Sequence, residues 1–213
     1  MESIYWPSKK IELKFLLEFG KMLSVSDFVQ KLKSQDKSEY KRLMIHLLEE
    51  YGCGLHCNRF AIGNCHEYAI EDLVRATGFT VENLSNAKRY DLNIKEFGYL
   101  SIKYSSTGDI KLHNSNNVSN KDMSMVDTLL VTPTHWWILT TQEMGKVGVD
   151  VKDYLKNTDD GLQLKRTILT ELGRRGYSHV FACSIEIDKK KCKNKETSRV
   201  FYDAIKEQLG ASR

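Results

Sequence analysis

Apolar positions recur along this chain at two different spacings, and the change from one to the other marks where helices give way to strands. From residue 9 to 23, Ile11, Phe15, Leu16, Phe19 and Met22 or Leu23 fall at helical intervals, predicting an amphipathic helix. Ser24-Val25-Ser26-Asp27 offers the cap of a second helix, with Phe28, Val29 and Leu32 on one side. A third helix, from Ser38, carries Tyr40, Leu43, Met44, Leu47 and Leu48 and stops near Gly52. Gly54 to Gly63 reads as a loop. Asn64 to Gly78 then reads as a helix with a stripe of Ile70, Leu73, Val74 and Thr77. Asn64 would cap it, with Glu67 three residues on as in a capping box, and Gly78 would end it.

Beyond Phe79 to Asn86, a strand or an extended link, the period drops to two. Leu92 and Ile94 alternate with Asp91 and Asn93; Leu100, Ile102 and Tyr104 alternate with Ser101, Lys103 and Ser105. Strict alternation marks half-buried strands. A three-residue turn at Glu96-Phe97-Gly98, with the glycine left-handed, would join them. That register sets Ile94 opposite Leu100, Leu92 opposite Ile102 and Asp91 opposite Lys103. A slip of one residue would turn the apolar side chains outward. A carboxylate and an ammonium should therefore face each other at about 5 Å between Cβ atoms, with Ser101 beside them. A cross-strand salt bridge on a wet face, worth little in energy, is the structural alternative.

Residues 105 to 120 are dense in small polar residues, Ser and Asn above all, and read as a loop. Met125 to Val131 and Trp136 to Thr141 are apolar runs of buried-strand length, split by Pro133. Val149 to Asn157 reads as a short helix. Leu162 to Arg174 reads as a longer one, on Leu164, Ile168, Leu169 and Leu172. Tyr177 to Ile187 reads as a strand, and Val200, Phe201, Ala204, Ile205 and Leu209 lie on a final helix. The succession predicts an α/β fold, a mixed central sheet flanked by helices with a helical N-terminal segment. Residues 1 to 52 form that segment, either a cap on the sheet or a helix-turn-helix-like lobe. Residues 53 to 213 form the α/β core, unless the whole is one domain.

Composition narrows the classes. At 213 residues and 41% hydrophobic, the chain can bury a sizeable core. It has no apolar run of membrane-spanning length, and Met1 to Pro7 lacks the features of a signal peptide, so the expected location is intracellular (cytoplasmic). Five cysteines, an odd number, argue against a disulfide framework. Cys53, Cys57 and Cys65 with His56 and His66 lack the second matched pair of a zinc site. The net charge of +4 permits a polyanionic partner. Lys31, Lys33, Lys37, Lys41 and Arg42 make the second and third helices locally basic. Asp188 to Lys195 is a concentrated cationic tract, a solvated turn or a phosphate contact.

Asp91, the short turn and the element Ser101-Ile102-Lys103 resemble the core of the PD-(D/E)XK nuclease superfamily, over roughly Gly63 to Leu139. Tyr90 stands where the family often has proline, and Ser101 where it usually has Asp or Glu. The resemblance implies a restriction-endonuclease-like fold and an Mg²⁺ site, in which Mn²⁺ can substitute. Asp91 would be a metal ligand, Lys103 would sit beside the attacking water, and Ser101 would bond a water in the site. Family members often add a glutamate from the preceding helix in a setting such as Gly63-Asn64-Cys65-His66-Glu67 followed by Gly78-Phe79. Glu67 lies about 20° around the helix from Val74, and the resemblance makes it the preferred second carboxylate and metal ligand. Glu71 ranks behind it, and Asp109 and Asp127 are reserves. The implied activity is Mg²⁺-dependent hydrolysis of double-stranded DNA by a homodimer, most like a type II restriction enzyme. A junction resolvase of the same superfamily and a non-catalytic nucleic-acid binder are the alternatives. Lys111, His113, Asn114, Asn116 and Asn117 on the polar loop, with Lys190 and Lys191, are the expected DNA contacts.

Overall fold

The computed structural model of the chain describes residues 23–52, 58–84, 90–105, 109–112, 125–158, 161–188 and 190–193. The expected first and last helices and the loop from His113 to Asn120 lie outside them. Ser24 caps helix α1 (Val25–Ser34) in a reciprocal capping box with Asp27. Helix α2 (Ser38–Tyr51) stops at Gly52, whose φ of +61° favours glycine. Helix α3 runs from Asn58 to Ala76. The strands are β1 (Val81–Asn83), β2 (Leu92–Ile94), β3 (Gly98–Tyr104), β4 (Ile110–Lys111), β5 (Thr128–Val131), β6 (His135–Leu139), β7 (Leu155–Thr158), β8 (Gly161–Leu164) and β9 (Val180–Ala182). Helices α4 (Thr141–Lys146) and α5 (Thr167–Arg174) complete the described elements, together with a single 3₁₀ turn at Val151–Tyr154. No helix among the described residues is long and apolar enough to cross a membrane.

The result is an α/β fold around a mixed six-stranded sheet in the order β1-β2-β3-β5-β6-β9. The β3–β5 pair is parallel and the others are antiparallel. One face is covered by α1, α2 and α3, through Phe28, Leu32, Met44, Ile70 and Val74 against Leu92, Leu100, Leu129 and Trp136. The N-terminal helices therefore share the sheet's own core. The other face carries Leu130 and Leu139 and is covered by α4, α5 and a second antiparallel sheet, β4-β8-β7. Burial on both faces explains why β5 reads as a continuous apolar run.

Five expectations change. The helix expected to start at Asn64 begins at Asn58, because Ala61, Ile62 and Cys65 extend its buried stripe by two turns. The hairpin register is displaced by two residues: Leu92 faces Leu100 and Ile94 faces Gly98, around a turn at Lys95–Phe97. That turn is centred on Glu96, whose carboxylate accepts the Thr80 N–H at 3.0 Å. Phe97 is thereby free to stack on Phe28 at 4.2 Å instead of forming an exposed apex. A two-residue displacement leaves every side chain on its expected face. Val149 to Asn157 is a 3₁₀ turn followed by β7, and Leu162 with Leu164 belongs to β8, whose period of two outweighs the helical spacing that Leu164 shares with Ile168. The late strand is confined to Val180–Ala182, although Cys183 and Ile185 continue donating to the β5–β6 turn.

Candidate active site

The β2–β3 ladder ends at Asp91, where the chain bends and its N–H reaches the Leu100 carbonyl at 3.0 Å. Extending the observed register sets Asp91 across from Ser101, with Lys103 two residues further along the same face. The Asp91 carboxylate then takes the place of the missing strand. Its Oδ2 accepts the Ile102 N–H at 2.5 Å, the Ser101 hydroxyl at 3.0 Å and the Lys103 ammonium at 3.3 Å. Oδ1 has no partner among the described residues. The Asp91 and Lys103 side chains are 18% and 25% exposed, so the pair is largely withdrawn from water without being sealed. On its other edge β3 is held by β5: the Ser101 N–H donates to the Asp127 carbonyl at 2.8 Å, and Lys103 is paired with Leu130.

Glu67 enters this cluster from α3. Burial, reinforced by the negative charge of Asp91 and partly offset by the Lys103 ammonium, pushes its carboxyl up to about 7. Those two influences put Glu67 within electrostatic reach of both strand residues. Among the described residues its carboxylate makes no hydrogen bond or ion pair. The capping role does not apply, because Glu67 lies deep inside a helix that starts at Asn58.

Glu71 departs from expectation. Although it ranks behind Glu67 by helical angle, it is completely buried. It accepts from Arg75 Nε at 3.1 Å and Nη2 at 2.9 Å, and from Asn83 Nδ2 at 2.5 Å. These contacts tie α3 to β1, so the carboxylate is committed to structure. The reserve acids are also placed. Asp109 accepts the Arg166 N–H at the start of α5. Asp127 meets Ser101 through its backbone, and burial raises its own carboxyl.

The remaining sequence candidates lie elsewhere. Lys111 is exposed on β4. Lys190 and Lys191 are exposed on a turn in which Lys191 pairs with Asp188 at 3.8 Å, and neighbouring Lys193 pairs with Glu50 of α2. His113, Asn114, Asn116 and Asn117 are outside the described residues, as are Cys53, His56 and Cys57. Cys65 is a buried thiol pushed up to about 11 by burial, and His66 is buried beside the Tyr40 hydroxyl at 3.3 Å with its pKa lowered to about 3. Both are core residues. The Ile102 N–H is a participant that side-chain reasoning misses; a carboxylate one residue before a short strand is its only signal.

No family model, curated protein or solved structure matches the chain. Asp91 holds the Lys103 ammonium in a half-buried setting, and the Glu67 carboxyl lies within electrostatic reach of both. No group of three or more His, Cys, Asp and Glu side chains is assembled among the described residues. Mg²⁺, which keeps several waters and needs one or two carboxylates, fits such a donor set. A closed zinc site does not.

Proposed function

We propose that the chain is a Mg²⁺-dependent DNA endonuclease of the PD-(D/E)XK kind, with its active site at the open end of the β2–β3 hairpin. The observation that carries this reading is the meeting of Asp91, Ser101 and Lys103 on one oxygen, with the Glu67 carboxylate, unpaired among the described residues, in reach. A surface salt bridge would need neither the buried serine nor the second acid. The antiparallel β2–β3 pair running into the parallel β3–β5 pair is compatible with a restriction-endonuclease-like core.

Asp91, through Oδ1, and Glu67 would hold the cation. When bound, Mg²⁺ supplies a Lewis acid and a template for in-line attack on a phosphodiester. Asp91 Oδ2 fixes the Lys103 ammonium, which orients the attacking water and offsets charge developing on the phosphoryl oxygens. Ser101 and the Ile102 N–H hold the Asp91 carboxylate in one orientation, so little reorganisation is needed during the reaction. Glu67, raised to about 7, exchanges its proton at neutral pH. It can accept a proton or turn to cation binding without a large change in pH.

The substrate of this reading is double-stranded DNA, cut at a specific site by a homodimer whose two-fold axis matches the two antiparallel strands. Ser101, in the position where a third acid would stand, favours a second reading: a nucleic-acid-binding protein without activity. Supercoiled plasmid incubated with the protein and Mg²⁺ separates the readings. Discrete linear fragments are expected. Cutting restricted to branched DNA assigns a junction resolvase, and salt-sensitive binding with intact plasmid assigns the binder.

A further inference from the structure

The sheet face that carries Lys103 leads into a groove. Lys103 pairs with Leu130 and Leu130 with Trp137, so the three form one row across adjacent strands. Trp137 therefore lies about 10 Å from Lys103 on the same face, two strand spacings away. Two residues beyond Lys103, the Ser105 hydroxyl meets Arg166 Nη1 at 3.4 Å. Trp137 and Arg166 both line an open cavity of about 450 Å³, together with Thr132, Thr134, His135 and Thr170 among others.

The lining defines a ligand chemistry. Arg166 makes no ion pair among the described residues; only its backbone N–H meets an acid, Asp109, at 3.1 Å. Among the described residues, no carboxylate lines the cavity. His135 is exposed, its Nδ1 beside the Thr134 hydroxyl at 2.9 Å. The Thr132 hydroxyl donates to the His135 carbonyl at 2.8 Å, which braces the turn that carries them. A guanidinium with hydroxyls and an imidazole suits a phosphate. A half-buried indole facing the same space suits the flat surface of a base. The volume falls in the range of small-ligand sites and admits one nucleotide, not a duplex.

Taking the nuclease reading as its basis, we infer that this groove seats an unpaired nucleotide next to the phosphodiester to be cut, its base on Trp137 and its phosphate on Arg166. The enzyme accordingly prefers DNA in which one nucleotide is free of its complement, whether flipped from a duplex or left unpaired at a junction.

The test uses the full chain without divalent metal and two fluorescein-labelled DNA hairpins, one fully paired and one with a single unpaired thymidine. Wild-type protein should bind the second on the order of tenfold more tightly, the worth of one stacked base. Trp137→Ala and Arg166→Gln should each remove that preference, and Arg166→Gln should also flatten the salt dependence. Quenching of tryptophan emission by the unpaired hairpin, lost in Trp137→Phe, gives a readout independent of whether the alanine variant folds. Equal binding of both hairpins by wild type, or preference and quenching surviving all three substitutions, overturns the proposal. Plasmid cleavage is assayed in parallel. A preference that maps to Trp137 and Arg166 in a protein that cuts no DNA would uphold the nucleotide seat and reject the nuclease reading. Cleavage without the preference would do the reverse.

Discussion

Glu67 and Glu71 stand one turn apart on α3, and the chain surrounds them differently. Glu71 is sealed from water and given Arg75 and Asn83, so its charge is answered in full by the protein. Glu67 is also drawn inward, yet the nearest charges that act on it are a second carboxylate and an ammonium already engaged by Asp91. One acid has been made into a structural tie and the other has been left in electrostatic need. Burying a charge without a dedicated partner costs stability. A site that keeps such a group is poised for a proton or a cation from outside.

The largest effect should come from the strand end itself. Asp91→Asn keeps the size of the side chain but removes the charge, and plasmid cleavage should fall by at least about 10³-fold. Lys103→Ala should match it to within about tenfold, while thermal melting shows both variants folded. Retained nicking by either purified variant would sever the cluster from the activity. Next is Glu71→Ala, which leaves Arg75 and Asn83 without their acceptor. Denaturant unfolding should report a loss of about 2 to 3 kcal/mol, the worth of hydrogen bonds to a charged group.

Glu67→Gln should act with the opposite sign. Its folded pKa is about 7, above the ordinary 4.5, so the folded state holds the extra proton between those values. Stability from this group is therefore full below pH 4.5 and lost as pH rises through 7. The amide removes that loss: unfolding at pH 8 should show a gain of about 2 kcal/mol, vanishing near pH 4, together with loss of cleavage. A variant destabilised at pH 8 would mean that Glu67 is as well satisfied as Glu71. The smallest change is Ser101→Ala, which removes one of three donors to Asp91 Oδ2. It should cost about 1 kcal/mol in the same unfolding assay and reduce cleavage without abolishing it.

Much of this arrangement is legible in residue order. Alternation around Leu92, Ile94, Leu100 and Ile102 identifies the hairpin and sorts Asp91, Ser101 and Lys103 onto one face. The apolar runs that become β5 and β6 are equally plain, and so is the Ser24 cap of α1. The two-residue register is not legible, since both alignments put the same faces inward. It was decided by distant partners, Phe28 beneath Phe97 and Thr80 on Glu96. Helical angle alone likewise ranks Glu67 above Glu71; what draws Glu71 inside is its bonding to Arg75 and to Asn83 of β1. Leu164 belongs to both a strand and a helix pattern, and the pairing of Ile110 with it settles the choice for β8. In each case the deciding contact comes from another part of the chain, which local periodicity does not encode.

A divalent cation shared by Asp91 and Glu67 is the centre of the proposed activity. Calorimetric titration of Mg²⁺ into the full chain at pH 6 and pH 8 tests this directly, with buffers of different ionisation enthalpy to count protons. We expect binding that strengthens with pH and releases a proton near neutrality, as the cation takes Glu67 from its acid form, and that is lost in Asp91→Asn and Glu67→Gln. No binding at either pH, or binding that survives both substitutions, would contradict it.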